Sequence, residues 1–195
     1  RSARIAIRAA SSRLSSSAIA LAPLRPKRQV SSVAKKDKLQ KSNAMRELDR
    51  AGIEYVAHEV EEDDISRGVG VRMAEQLGED PDAAFKTLVC VSPSGDHVVC
   101  CIPVASELDL KRAAAASDQK SLSLIAIKDL EAVTGYVRGG CSPIGLKKPF
   151  PTLIDETAQL FDTIGISGGR RGLSLDVNPI ELADLLGAQF VDIAR

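Results

Sequence analysis

The order of hydrophobic and polar positions becomes regular at Ser42. Ser42 or Asn43 serves as an N-cap ahead of Ala44, Met45 and Leu48, and Gly52 ends the helix they begin. Residues 53–58 alternate and predict a strand. Glu59, Glu61, Glu62, Asp63 and Asp64 make a solvated acidic loop, and residues 70–77 predict a short helix stopped at Gly78. Two apolar, β-rich runs, 85–91 and 97–104, flank Pro93-Ser94-Gly95-Asp96. That turn chemistry makes them a hairpin, with His97 as a turn residue. Helices follow over 108–116 and 127–134, the second ending at Gly135. Strands are expected over 152–154 and 161–166. Asn178 caps a last helix that has Pro179 in its first turn and runs to Leu186, and residues 190–193 form a closing strand. Helices and strands mix without strict βαβ alternation. The expected class is therefore α+β, a mixed or antiparallel sheet with helices packed around it.

Charge divides the chain. Its 195 residues hold 26 basic and 26 acidic side chains, a formal sum of zero. Residues 1–41 carry eleven of the basic ones and a single acid, Asp37, which leaves 15 and 25 in residues 42–195. A leader of +10 thus precedes a body of −10. The leader is rich in Arg, Ser and Ala, and residues 1–36 contain no acid. Arg4, Arg8 and Arg13 interrupt every apolar stretch that a secretory signal would need. Its composition is that of a transit peptide, so a mitochondrial or plastid location is expected, the other reading being a disordered basic tail. Residues 42–195 then form one domain of ordinary size. No uncharged apolar run approaches the ~18 residues of a membrane span. With aromatics at 3% and no Trp, stacked aromatic platforms for nucleic acid are not expected. Cys90, Cys100, Cys101 and Cys141 show no metal spacing, and they read as free thiols, Cys100 and Cys101 facing opposite sides of a strand. His58 and His97 stand alone in sequence, so no zinc site is expected.

Three segments place Gly, Pro and charge where strands should end. They are Ala84-Phe85-Lys86-Thr87-Leu88, the stretch from Thr134 to Gly145, and Ile166-Ser167-Gly168-Gly169-Arg170-Arg171-Gly172-Leu173. Consecutive glycines expose backbone N–H groups and admit close approach. Neither glycine segment has dinucleotide or P-loop spacing, and no nucleophile elbow occurs. Arg138, Lys147, Lys148, Arg170 and Arg171 fall in or beside these loops, which predicts a small basic mouth on an acidic body.

Taken together, Phe85-Lys86-Thr87-Leu88, Thr134-Gly135-Tyr136, Gly139-Gly140-Cys141-Ser142-Pro143-Ile144-Gly145 and Ser167-Gly168-Gly169-Arg170-Arg171-Gly172-Leu173 resemble the YbaK/EbsC family of free-standing aminoacyl-tRNA deacylases. The resemblance runs over nearly all of residues 42–195. It implies a compact mixed α/β domain with a central, mostly antiparallel, barrel-like sheet. It also implies hydrolysis of the ester between a wrong amino acid and tRNA, above all Cys on proline tRNA, without metal or organic cofactor. Lys86 matches the family's critical lysine. Gly139 and Pro143 match a Gly-x-x-x-Pro loop whose N–H groups stabilise an oxyanion. Gly140, Ser167, Gly168, Arg170 and Arg171 fall with them as substrate-binding candidates. The implied partner is the aminoacylated acceptor end of tRNA, with prolyl-tRNA synthetase as a further candidate; neither membrane nor DNA is an expected partner. The chain departs from the pattern in having Ser174 where an Asp is usual, with Asp176 two residues on, and Val60 and Val69 where aromatics are common. No general base stands out, in keeping with attack by the substrate's own thiol. The alternatives are a water-using deacylase for another amino acid such as Ala, and a non-catalytic tRNA- or synthetase-binding module.

Overall fold

The computed structural model describes residues 40–59 and 80–195. Contacts divide the chain into Arg1–Lys38 and Leu39–Arg195, and the fold is that of the second unit. The expected leader up to residue 39, the acidic positions 61–64, the helix over 70–77, and Val60 and Val69 lie outside the described residues.

Helix α1 (Asn43–Ala51) begins where Ser42 Oγ accepts the Met45 amide at 3.2 Å, and it ends on Gly52 in the left-handed region, φ 72°. Ala44, Met45 and Leu48 are its buried face. Strand β1 (Tyr55–Glu59) follows. Strands β2 (Phe85–Val91) and β3 (His97–Pro103) form the expected hairpin, closed by Gly95 at φ 91° and by Ser92 N–H on Asp96 O at 2.8 Å. His97 is not in the turn. It opens β3 opposite Val91, with its ring 5.7 Å from that of Phe150.

Helices α2 (Leu110–Ala116) and α3 (Ile127–Thr134) flank a two-residue strand, β4 (Ser123–Leu124). Asp109 caps α2 through the Lys111 and Arg112 amides, so this helix starts two residues later than the pattern suggests. Strand β5 (Thr152–Asp155) leads into a 3-10 turn over Glu156–Leu160. Strand β6 (Ile164–Ser167) starts three residues after the expected one, because Phe161 ends that turn. Strand β7 (Leu173–Val177) was not anticipated. Helix α4 (Pro179–Leu186) has the predicted Asn178 cap and Pro179 in its first turn, and β8 (Gln189–Val191) closes the chain.

The strands divide between two sheets, ordered β1-β7-β6 and β4-β2-β3-β5-β8. Four pairings are antiparallel; β3–β5 and β5–β8 are parallel. The strands thus form two sheets, not a closed barrel, linked by a parallel bridge from Ala84 to Gly165, and most pairings are antiparallel as expected. Central β3 is apolar and buried from Val98 onward because both its faces are covered there. Cys101 joins the core that holds Val99, Ile154, Ile166 and Leu175, while Cys100 points into a second core with Val98, Ile102, Ala113 and Ile193. The opposed orientation of these two thiols is as the sequence suggested, and all four cysteines are buried and free.

A single buried carboxylate ties the C-terminus down. Asp155 Oδ2 accepts the Ile193 and Ala194 amides at 3.0 and 2.7 Å, and Oδ1 accepts the Thr157 amide at 3.2 Å. Asp155→Ala strands those donors, which should cost about 2–4 kcal/mol, since each unpaired buried group costs ~1–3 kcal/mol. Urea denaturation of the variant, read at its midpoint, checks this.

Candidate active site

A cavity of about 420 Å³ opens where the two sheets meet. Its walls come from four main stretches distant in sequence. β2 supplies Phe85, Lys86, Thr87 and Leu88; the loop after α3 supplies Arg138, Gly139 and Cys141; and β6 with the start of β7 supplies Gly165, Ser167, Leu173 and Ser174. Leu124, Ile125, Ile127 and Leu130 complete an apolar side. No carboxylate lines it among the described residues.

Lys86 is half-buried. Its ammonium donates to Val104 O at 3.0 Å and Ser106 O at 2.6 Å, which uses two of its three donors. Burial holds its pKa below the ordinary lysine range, against the opposing pull of the Glu107 carboxylate. The side chain is thus a fixed cation on the cavity wall, oriented by two carbonyls.

Two loops press together to make the opposite wall. Tyr136 donates from its hydroxyl to Ile144 O at 2.7 Å, which folds residues 136–144 back on themselves. Its ring packs on Gly169, where an added Cβ would lie 3.0 Å from the ring. Gly140 sits on the backbone of Arg170, and a Cβ there would be 2.9 Å from the Arg170 carbonyl carbon. Gly168 is closed in by Leu173 in the same way, at 2.4 Å. Gly140 and Gly168 therefore serve loop packing, and neither lines the cavity. Pro143 is buried away from it. Gly139, at φ 85°, does line it, and its amide donates to no group among the described residues; the Gly140 amide is taken by Val137 O at 3.0 Å.

The arginines of the third segment do not line the cavity. Arg170 pairs with Glu59 and donates to Gln40 O at 2.5 Å. Arg171 Nε donates to Arg138 O at 3.0 Å. Lys147 donates to Glu131 O and Ala132 O at 2.9 and 3.0 Å, stabilising the C-terminal end of α3. Lys148 lies 5.2 Å above the Phe150 ring and belongs to a separate cleft with His97 and Gln119. Of the five cations of the expected basic mouth, Arg138 alone lines the cavity, with the Arg171 side chain beside it against Gly139.

Ser167 and Ser174 stand opposite each other across β6 and β7, both on the cavity. Ser174 Oγ donates to Ile166 O at 3.2 Å. Asp176 does share a face with Ser174, but its Oδ2 lies 2.9 Å from His58 Nε2 and it does not line the cavity. It does not stand in for an acid at 174, and His58, isolated in sequence, has this partner 118 residues away. Cys141 lines the cavity with its thiol pushed up to about 11 by burial, so at neutral pH it is protonated and a poor nucleophile. Among the described residues no group of three or more metal-ligating side chains occurs. The apolar side, carried by β4 and α3, escaped sequence reasoning because a two-residue strand leaves no periodic signal.

This architecture, two sheets enclosing a cavity at the meeting of two glycine loops, is that of an aminoacyl-tRNA editing domain. The model of the family described as aminoacyl-tRNA editing domain matches residues 70–185, and the chain belongs to this family. Over 163 residues it is 44% identical to EbsC of Enterococcus faecalis, named as a candidate Cys-tRNA(Pro)/Cys-tRNA(Cys) deacylase, a match that covers 83% of this chain and 98% of EbsC. The fold is also that of a crystal structure described as a candidate trans-editing enzyme for prolyl-tRNA synthetase (TM-score 0.67, 24% identity, 78% of this chain and 95% of that one). A hypothetical protein of known structure shares it as well (TM-score 0.71, 21% identity, 79% and 100% covered).

Gly140→Ala should force the two loops apart, because the neighbour it meets is backbone. A loss of about 1–3 kcal/mol in urea stability is expected for such overpacking.

Proposed function

We propose that the chain is a trans-editing deacylase that cleaves the ester of mischarged tRNA, with Cys on proline tRNA as its principal substrate. The observation that carries this reading is the convergence of Lys86, Gly139 and Ser167 on one cavity that contains no carboxylate and no reactive thiol among its described residues. Such a cavity can orient a substrate and stabilise charge. Its hydroxyls, on Thr87, Ser167 and Ser174, have no carboxylate or imidazole among the described lining residues to activate them for attack on an ester.

The substrate's own thiol supplies the nucleophile. A Cys thiol has a pKa near ~8.5, so a few per cent is thiolate at neutral pH. The thiolate sulfur bonds to the ester carbonyl carbon and the C–O bond to the ribose breaks. Its electron pair leaves on the ribose oxygen, which takes a proton. The cyclic thioester so formed then reacts with water to release Cys. The Gly139 amide faces the developing oxyanion, and Lys86 holds the aminoacyl end in place. Pro143 and Gly140 shape the Gly139 loop, while Gly168, Arg170 and Arg171 support the wall bearing Ser167. The E. faecalis relative's name supports the choice of Cys, and the trans-editing neighbour suggests prolyl-tRNA synthetase as the partner that delivers the tRNA. The acid-poor leader supports import into a mitochondrion or plastid.

Purified protein should deacylate Cys-charged proline tRNA far faster than the Ala-charged form, with the rate rising about tenfold per pH unit between pH 6 and 8, below the thiol pKa. Comparable rates on both, without that pH dependence, point to a water nucleophile; binding without cleavage of either removes the enzymatic reading. Lys86→Ala should lower kcat/KM at least ~100-fold, the scale of a lost charged contact to the reacting group. Cys141→Ala should keep the rate within about threefold, since a protonated buried thiol contributes no nucleophile.

A further inference from the structure

The cation that remains at the mouth of the cavity is unlike its neighbours. Lys86 and Lys147 each give two of three ammonium donors to backbone carbonyls, Arg170 bonds Glu59 and Gln40 O, and Arg171 Nε bonds the Arg138 carbonyl. The Arg138 guanidinium makes no hydrogen bond or ion pair among the described residues, yet it lines the cavity. Its backbone, by contrast, is held: Arg171 Nε donates to its carbonyl at 3.0 Å, and the Val137–Gly140 turn closes beside it at 3.0 Å. A guanidinium with five donors on a fixed base, without a carboxylate among the described lining residues, suits a doubly bonded anionic oxygen pair. The same cavity is lined by Leu124 and Ile127, 54% and 61% exposed, an apolar ledge open to solvent.

We propose that Arg138 binds the phosphate on the 5′ side of the tRNA's terminal adenosine, while Leu124 and Ile127 cover the nucleoside next to it. This rests on the deacylase reading and deepens it, naming a positioning residue for the RNA end that lies apart from the reacting ester. The acidic body cannot attract RNA broadly, so a single well-placed phosphate contact becomes the anchor that sets how deeply the ester enters. An aliphatic ledge replaces the aromatic platform that this chain, with 3% aromatics, does not offer.

The test uses two small esters, 3′-cysteinyl adenosine and 3′-cysteinyl adenosine 5′-monophosphate, beside Cys-charged proline tRNA. Arg138→Ala should raise KM about 10- to 100-fold for the phosphate-bearing ester and for the tRNA, the scale of a charge-assisted bidentate contact. It should leave kcat nearly unchanged and shift KM for the phosphate-free ester by less than about twofold. Arg138→Lys should recover part of the loss, and the slope of log KM against log salt for the tRNA should flatten by about 0.7, one phosphate contact to a single strand. Circular dichroism verifies folding of this surface variant. Equal losses on both small esters, or no loss on the phosphate-bearing one, would overturn the assignment. Wild-type protein inactive on all three substrates overturns instead the deacylase reading beneath it.

Discussion

The structure depends on one close approach of backbone to backbone. The loop after α3 and the loop between β6 and β7 touch at Gly140, where the Arg170 main chain leaves no room for a side chain. Tyr136 holds the first loop in shape through Ile144 O, and its ring fills the space above Gly169. Because these contacts are made by main chain and one aromatic ring, the wall they build is stiff. Gly139 and Ser167 sit on either side of the contact and inherit its position. A cavity that has to orient an ester, without a described side chain to attack it, needs that stiffness, since misplacement of a reacting group by about 1 Å can cost ~100-fold in rate.

Charge is used with the same economy. Most cations near the cavity are committed to the fold: Lys147 to the end of α3, Arg170 to Glu59, and Arg171 to the Arg138 carbonyl. Lys86 is held by two carbonyls and lines the cavity from β2. The buried Asp155 does comparable work at the far edge, where its carboxylate joins β5 to the C-terminal residues. Lys86 and Arg138 thus line a small cavity in a domain whose residues 42–195 sum to a formal −10.

Much of the fold was legible because local chemistry dictates it. The Ser42 and Asn178 caps, the left-handed glycines 52, 135 and 187, and the 92–96 turn each act within a few residues. Strand β7 was hidden because polar Ser174 and Asp176 interrupt its apolar positions, so only Leu173, Leu175 and Val177 mark it as core. Strand β6 was displaced by a 3-10 turn that sequence periodicity does not separate from the start of a strand. In the site, Lys86, Gly139 and Ser167 were recognisable as motif positions. The internal partners of Arg170, 111 and 130 residues away, were not, and they give this arginine a structural task.

Sequence alone determined the ends of most elements, the division of charge between residues 1–41 and 42–195, the family, and three segments whose residues line the cavity. These follow from short-range sterics, hydrogen bonding and motif order, all of which are written in neighbouring residues. Tertiary structure alone decided which cations face the cavity, that His58 pairs with Asp176, that the strands form two sheets instead of one, and that β4 and α3 supply an apolar wall. Those outcomes depend on which distant groups reach one another first for the available donors and space, and only the folded chain sets those distances.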